Sequence, residues 1–412
     1  MPSVRAILDE ALAVCKPGPD DLHVMEDVRR FLDILAYRLK KQGVKARVIL
    51  GGSFAKDTWL KGDYDVDIFV AFDEKHAQDN LSDLLEKAMK QWKAERVHGS
   101  RDYFQIHGDI NYEIIPVLDI EKASDAQNVT DFSPKHVAWV NRNAKGLTDD
   151  IRLLKKFCKA QKVYGAESYI RGFSGHVVDI LIIHYGGFLK LLRAARGWKP
   201  KTVLDINKVY KGKALLVLNA SKTQGPLIVI DPVQPERNAA AALTQDMFDR
   251  FIDAARKFLA RPSIQSFHEH EPDLWALKQQ GALIVEVATL SEKEDIAGTK
   301  MVKLFAKIKD ELARHDFTVA DAGWTWDREK KGGFWFRTKE KKLSPKVKRV
   351  GPPKKIAENA KAFKKKYPNA RTLRGRLVAL IPREFRTPAE VIASVLRSDY
   401  AKDKVVSARL RA

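Results

Sequence analysis

The chain has little cysteine: only Cys15 and Cys158 occur among 412 residues. Two thiols so far apart offer no disulfide framework and no zinc-ligand spacing, so both read as buried, neutral thiols in a reducing setting. Long apolar runs are missing too. The longest, Val177 to Leu192, is interrupted by Asp179, His184 and Lys190, which makes it a buried helix and not a membrane span. Asp9 and Glu10 stand among the first apolar residues, where a signal peptide would need an uncharged core. Internal repeats are absent. Acidic residues are in deficit: 74 Lys and Arg against 53 Asp and Glu leave a net charge of +21. Such an excess points to a polyanionic partner and, without a basic amphipathic anchor, away from a membrane surface. A soluble, cytoplasmic protein of several domains is expected.

What is present centres on the stretch from Leu50 to Phe72, LGGSFAKDTWLKGDYDVDIFVAF. It reads as a strand end, a Gly-Ser turn, a short helix with Asp57 or Thr58 as its cap, and a second strand. Gly51 and Gly52 let the backbone approach a ligand closely, and Ser53 adds a hydroxyl and an N–H at the mouth of the turn. Asp65 and Asp67 alternate with Val66 and Ile68, so both carboxylates leave one face of the strand. Carboxylates that close repel each other unless a cation sits between them. Magnesium with a nucleotide triphosphate is the natural occupant. A later strand, INYEIIPV, carries Asn111 and Glu113 on one face, and Glu113 is the candidate third carboxylate.

Along the chain, Asp20 to Gln42 forms an amphipathic helix with Met25, Val28, Leu32, Leu35 and Leu39 on its apolar stripe. Val44 to Leu50 is a strand, Leu81 to Lys93 a helix, and Tyr103 to Val117 a hairpin turning at Gly108-Asp109. After a polar connector from Asn141 to Leu147, helices are expected from Thr148 to about Tyr164, from Ser174 toward Gly197, and from Thr244 to Ala260. Ala282 to Leu290, Trp324 to Trp326 and Gly333 to Arg337 read as strands around a helix from Lys300 to His315. Of Trp324, Trp326, Trp335 and Phe336, alternation assigns half to the core. Lys339 to Lys366 holds twelve Lys or Arg against two Glu, either a solvated linker with a polar helix face or a phosphate contact. A strand at Leu377 to Ile381 and a helix after Thr387-Pro388 close the chain.

The order of Gly-Ser, eleven residues and Asp-x-Asp between apolar strands resembles the DNA polymerase β-like nucleotidyltransferase superfamily. The wording S-F-A-K-D-T-W-L-K-G-D, with S-P-K-H, R-L-L-K-K-F, V-Y-G-A-E, I-R-G-F-S-G and D-P-V-x-x-x-R-N, is similar to the archaeal-type (class I) CCA-adding enzymes. The match is clear over residues 50 to 240 and thins beyond. The resemblance implies an α+β multidomain fold. Residues 1–140 would be the palm, a mixed sheet with helices on one face; 141–262 a helical central nucleotide-binding domain; 263–345 an α+β body; and 346–412 a basic tRNA-binding tail, short for the family. It implies Asp65, Asp67 and Glu113 as catalytic and metal-binding residues holding two Mg²⁺ ions, although the family usually has Asp where Glu113 stands. Gly52, Ser53, Lys56, Ser133, His136, Lys155, Tyr164 and Arg237 would bind the nucleotide, with Arg237 reading the base edge. Lys155 suits that role as a point charge, Tyr164 as a hydroxyl donor and Arg237 as a planar fork. CTP and ATP are the implied substrates, tRNA (acceptor stem and T-arm) the implied partner, with room for a homodimer and none for a membrane.

Two other functions share these residues. A poly(A) polymerase or other terminal nucleotidyltransferase would have the same palm but would add AMP repeatedly to any RNA. An RNA-binding protein with an inactive palm is the alternative of another class, and the intact Asp65/Asp67 pair argues against it. A small-molecule nucleotidyltransferase would not need the basic later segments.

Overall fold

The computed structural model describes residues 3–121 and 125–411. Contacts divide the chain into two units, Met1–His270 and Glu271–Ala412.

The first unit opens with α1 (Val4–Cys15) and α2 (Leu22–Lys41). Val24, Val28, Phe31, Leu35 and Leu39 recur at three- and four-residue steps and form the buried stripe of α2, with Met25 and Leu32 at its edge. Next come β1 (Ala46–Leu50), α3 (Gly52–Ala55), β2 (Asp65–Phe72), α4 (Leu81–Met89), β3 (Glu95–Val97), β4 (Tyr103–Ile106) and β5 (Asn111–Leu118). The strands lie in the order β1-β2-β5-β4-β3; β2 and β5 run parallel and the remaining pairs antiparallel. Val66, Ile68, Val70 and Phe72 face α2 and α4, while Phe69 and Ala71 pack with Val117 on the opposite side. Both faces of β2 are therefore apolar from Ile68 onward, and only its start carries carboxylates. The mixed sheet expected from the sequence is present.

The polar connector expected at Asn141–Leu147 is shorter than that. Helix α5 (Ser133–Asn143) runs through its first half, across the domain boundary expected at residue 140. After α6 (Thr148–Ala160) come α7 (Gly175–Tyr185) and α8 (Phe188–Ala195), where one helix was expected. Gly186 takes a left-handed conformation at φ 71° and ends α7. The chain then restarts with the Phe188 N–H donating to Asp150 Oδ1 at 2.7 Å, which docks α8 against the start of α6. β6 (Thr202–Leu204), α9 (Ala214–Val217), β7 (Leu227–Val229) and α10 (Gln245–Ala260) follow, and the Thr244 hydroxyl caps α10. Phe157, Phe188, Phe258 and Phe267 meet mostly edge to face in the core of this half. Cys158 belongs to that core as well, and both cysteines are free and buried.

In the second unit, α11 (Leu274–Gln279), β8 (Leu283–Ala288), α12 (Glu294–Arg314), β9 (Val319–Trp326) and β10 (Lys331–Thr338) precede the basic run. That run is folded: it contains β11 (Lys346–Pro353) and α13 (Ala357–Lys366). β12 (Arg371–Leu373), β13 (Arg376–Pro382), α14 (Pro388–Arg397), α15 (Asp399–Lys404) and β14 (Ser407–Arg411) complete the chain. β14 pairs with β8 in the sheet β14-β8-β10-β9, and β11-β13-β12 form a second sheet. Phe334 and Phe336 are buried, Trp324 and Trp326 pack at the edge of the same core, and Trp335 points to the other face.

Asp131 joins the palm to α5. Its buried carboxylate accepts from the N–H groups of Leu118 (2.9 Å), Gln127 (3.1 Å) and Asn128 (2.9 Å) and from the Arg101 guanidinium. Removing one partner of a buried charge pair costs about 3–5 kcal/mol. Asp131→Ala is expected to lower the denaturant midpoint of the first unit by that measure and to leave the second unit's transition in place. A single unchanged transition would show that Asp131 bears no load.

Candidate active site

The backbone of Gly51 donates to the Asp67 carbonyl at 2.8 Å, so the turn is stitched to β2 beside its carboxylates. Gly52 has φ +53°, and a Cβ there would lie 1.6 Å from Asp67 Oδ2. No other residue fits, and Asp67 therefore faces bare backbone. Ser53 follows on α3, half-buried. The expectation that Asp57 or Thr58 caps this helix fails: α3 begins at Gly51–Gly52, and both residues lie beyond its end. Asp57 instead pairs with Arg152, and buried Thr58 receives Lys155.

Parallel pairing sets Asp65 opposite Asn111 and Asp67 opposite Glu113. Asn111 Nδ2 donates to Asp65 Oδ1 at 3.0 Å, and Gln105 Nε2 to Glu113 Oε2 at 3.2 Å. Burial raises the Asp67 carboxyl, and Asp65 adds to the rise, while Lys56 and Lys155 oppose it. Burial and the charge of Asp67 push Glu113 up to about 7. Three neighbouring carboxylates, two of which are held above their ordinary range, are the donor set of a hard divalent cation, whose charge removes the conflict. The residues present thus fit magnesium.

The lysines sit differently from what their spacing suggested. Lys56 Nζ lies 2.6 Å from Asp179 Oδ2, with the two side chains only 10% and 0% exposed. Lys155 is buried, not at the border of α6: its amine donates to the Thr58 carbonyl (2.9 Å) and hydroxyl (3.1 Å), and burial pulls its pKa down to about 8. Tyr164 is half-buried, and burial raises its phenol, so it keeps its proton as a donor.

One turn from Asp179 toward the start of α7, beside His176, lies a second polar group. Asp231 is fully buried and receives His136 Nε2 at 3.0 Å on each oxygen and Arg237 at 3.2 Å. Ser133 opens the helix that carries His136. The structure therefore gathers Gly52, Asp65, Asp67 and Glu113 at the start of β2 and β5, sets Ser53 next to Gly52 on α3, ties Lys56 to α7, and joins His136 to Arg237 through Asp231. Asp179, Asp231 and His176 went unread in the sequence. The signal for Asp231 was the D-P-V-x-x-x-R spacing, which returns Arg237 to it; Asp179 appears in sequence only as a break in an apolar run.

A mixed sheet with a glycine turn facing paired carboxylates defines a nucleotidyltransferase. A profile described as "Nucleotidyltransferase domain" matches residues 28–125, and the solved Cid1 poly(U) polymerase shares the fold at TM-score 0.51 and 14% identity, over 65% of this chain and 98% of that one. The chain belongs to the CCA-adding enzyme family. Profiles of the "tRNA nucleotidyltransferase, second domain" and the "CCA-adding enzyme, C-terminal domain" match residues 149–268 and 280–412, so the likeness extends well past residue 240. The CCA-adding enzyme of Nanoarchaeum equitans is 35% identical over 87% of this chain and 90% of its own length. That of Methanocaldococcus jannaschii is 31% identical over 93% and 88%. Among the described residues, no helix is long and apolar enough to cross a membrane.

Asp179→Ala leaves the Lys56 ammonium buried without a counter-ion and is expected to cost about 3–5 kcal/mol. Lys56→Met combined with Asp179→Leu should recover most of that stability in a denaturant titration while nucleotide binding stays impaired. Equal stability of the single variant and the wild type would mean the pair is solvated.

Proposed function

We propose that this chain adds CCA to the 3′ end of tRNA without a nucleic-acid template, using CTP and ATP and releasing pyrophosphate. The chemistry of this reading rests on the parallel register that sets Glu113 beside Asp67 at the foot of the Gly52 turn. The observation that carries CCA addition to tRNA is the likeness to CCA-adding enzymes over most of the chain. Asp65, Asp67 and Glu113 would hold two Mg²⁺ ions, which would supply charge to lower the pKa of the attacking 3′-hydroxyl and to neutralise the leaving pyrophosphate. Glu113, one oxygen of which accepts from Gln105 Nε2, takes the hydroxyl proton. Gly52 admits the triphosphate, and Ser53 donates to it. Lys56, Lys155 and Tyr164 supply positive charge and a hydroxyl donor around it, and the two lysines already act on Asp67. Ser133 and His136 line the nucleoside, and the half-exposed fork of Arg237 reads the base edge. Catalysis then rests on positioning and charge, with no covalent intermediate.

Residues 1–140 act as the palm, 141–262 as the nucleotide-binding half, and 263–345 as the body. Residues 346–412 grip the acceptor stem and T-arm through the basic β11 and α13, in the cytoplasm. A family match over residues 149–268 favours tRNA over a general RNA acceptor.

The test is incorporation on tRNA transcripts ending before CCA, after C and after CC, each offered the four nucleotides separately with Mg²⁺. Two C additions, one A and a halt are expected. Long A tracts on any RNA would replace this reading with a poly(A) polymerase, and tRNA binding without incorporation would leave an inactive palm. In the same assay Asp67→Ala should lose at least about a thousandfold in rate, as expected when charge stabilisation at the reacting phosphate fails, with tRNA binding intact. Turnover near wild type would remove Asp67 from the metal site. Reversing the charge of Lys364, Lys365 and Lys366 should flatten the salt dependence of tRNA binding, each lost phosphate contact lowering the slope by about one unit. An unchanged slope would take α13 out of the RNA contact.

A further inference from the structure

We infer that Asp231 is a positioning residue for nucleotide choice: its buried carboxylate fixes the pose of Arg237 and His136 together, so that the base edge meets a preset fork. This rests on the reading above, in which Arg237 contacts the base.

The argument begins with the turn. Residues 231–237 form a closed loop: the Asp231 N–H donates to the Arg237 carbonyl at 3.1 Å, and the Arg237 N–H to the Gln234 carbonyl at 2.8 Å. Inside it, Asp231 Oδ1 accepts from the N–H groups of Val233 (2.9 Å) and Gln234 (3.1 Å). Its carboxylate therefore sets the shape of the loop that presents Arg237. The side chain is set as well, because a guanidinium nitrogen of Arg237 donates to Oδ2 at 3.2 Å. A guanidinium is planar and rigid, so fixing one nitrogen orients the remaining donors. The Arg237 side chain is 51% exposed, which leaves that remaining edge open to a ligand. On its opposite side the same carboxylate holds His136, which comes from α5, a separate stretch of chain. One buried anion thus aligns two groups from distant segments. Its charge is well supported: burial opposes it, but His136 and His176 outweigh burial and hold the carboxyl well below the usual range.

A divalent metal is the rival occupant, since ligand atoms of His136, His176 and Asp231 all lie within 4.8 Å of one another. Chemistry argues against it. Both carboxylate oxygens already accept N–H donors, and the Arg237 cation sits where it would repel a second one. His176 Nε2, buried and without a hydrogen-bond partner among the described residues, stands 3.6 Å from Oδ2, and its ring lies 4.5 Å from that of His136 between centroids. His176 also shares α7 with Asp179, one turn away, which pairs with Lys56. The cluster around Asp231 and the pair with Lys56 thereby both touch one helix.

The test compares wild type, Asp231→Asn, Arg237→Ala and the double variant on tRNA transcripts ending before CCA and after CC, with kcat and KM measured for each of the four nucleotides. Asparagine keeps an oxygen for the turn and removes the charge. Asp231→Asn is expected to lower the preference for CTP and ATP over UTP and GTP by about tenfold, the scale of one charged hydrogen bond, mainly through KM, with tRNA affinity unchanged. The double variant should discriminate no worse than Arg237→Ala, because both act through one group. His176→Gln, which removes the ring beside Oδ2 and His136, should shift the preference in the same direction and serves if Asp231→Asn fails to fold. Discrimination within about twofold of wild type in the folded variants, or additive losses in the double variant, overturns the inference. So does stoichiometric zinc in the purified wild type that Asp231→Asn loses. A wild type without any nucleotide preference overturns the functional reading along with it; a selective wild type beside an equally selective Asp231→Asn overturns this inference alone.

Discussion

The rest of the catalytic unit depends on the ion pair between Lys56 and Asp179, held out of water between the turn after α3 and helix α7. Two charges so placed cost several kcal/mol each in desolvation and are tolerated only when geometry is close. Their 2.6 Å contact meets that condition, and the neighbouring contacts follow the same direction. Arg152 of α6, itself buried, reaches Asp57 and the Trp59 carbonyl, Lys155 reaches Thr58, and Lys159 reaches Asp63. The loop from Lys56 to Asp63 is therefore clasped by one face of α6. Asp65 begins two residues later, so the register of the catalytic strand inherits its precision from this clasp.

Spacing made the palm legible because strands announce themselves by alternation. Asp65 and Asp67 had to share a face, Glu113 had to share one with Asn111, and the pairing of those two faces needed only the parallel neighbour that the topology supplies. Helix breaks were harder. Gly186-Gly187 lies inside an apolar run that reads as one buried helix, and only the capture of the Phe188 N–H by Asp150 makes the break favourable. Asn141 to Asn143 look like linker by composition, yet Asn141 donates to the Ala55 carbonyl at 3.1 Å and stays helical. Lys155 was the hardest, because a lysine beside apolar residues is normally solvated. Its burial follows from a partner at Thr58, 97 positions away, which no local pattern reports.

The second unit shows a related limit of composition. Twelve basic residues in twenty-eight positions read as either a solvated linker with a polar helix face or a phosphate contact, and they include a full strand and a ten-residue helix. β11 pairs with β13 over most of its length, so its backbone is satisfied while its lysines point outward. Charge density alone does not preclude order where backbone pairing is supplied by apolar neighbours such as Leu377 and Ala379, both buried. A basic surface on a folded frame presents phosphate contacts at fixed spacing, which a flexible tail cannot do without an entropic cost on binding.

Choosing a nucleotide without a template places a stricter demand on the protein than joining one does. The joining chemistry tolerates any base, because it acts on phosphates and a hydroxyl. Choice must come from donors whose positions are settled before the base arrives, since a mobile fork would adapt to any edge. Two buried carboxylates answer that demand beside one helix: Asp179 lies on α7, and His176 of the same helix stands 3.6 Å from Asp231. In the proposed reading one anion fixes a lysine beside the reacting groups, the other fixes an arginine and a histidine around the base, and α7, which touches both, sets a fixed distance between phosphate and base. That fixed distance is the property by which a protein surface can stand in for a template strand.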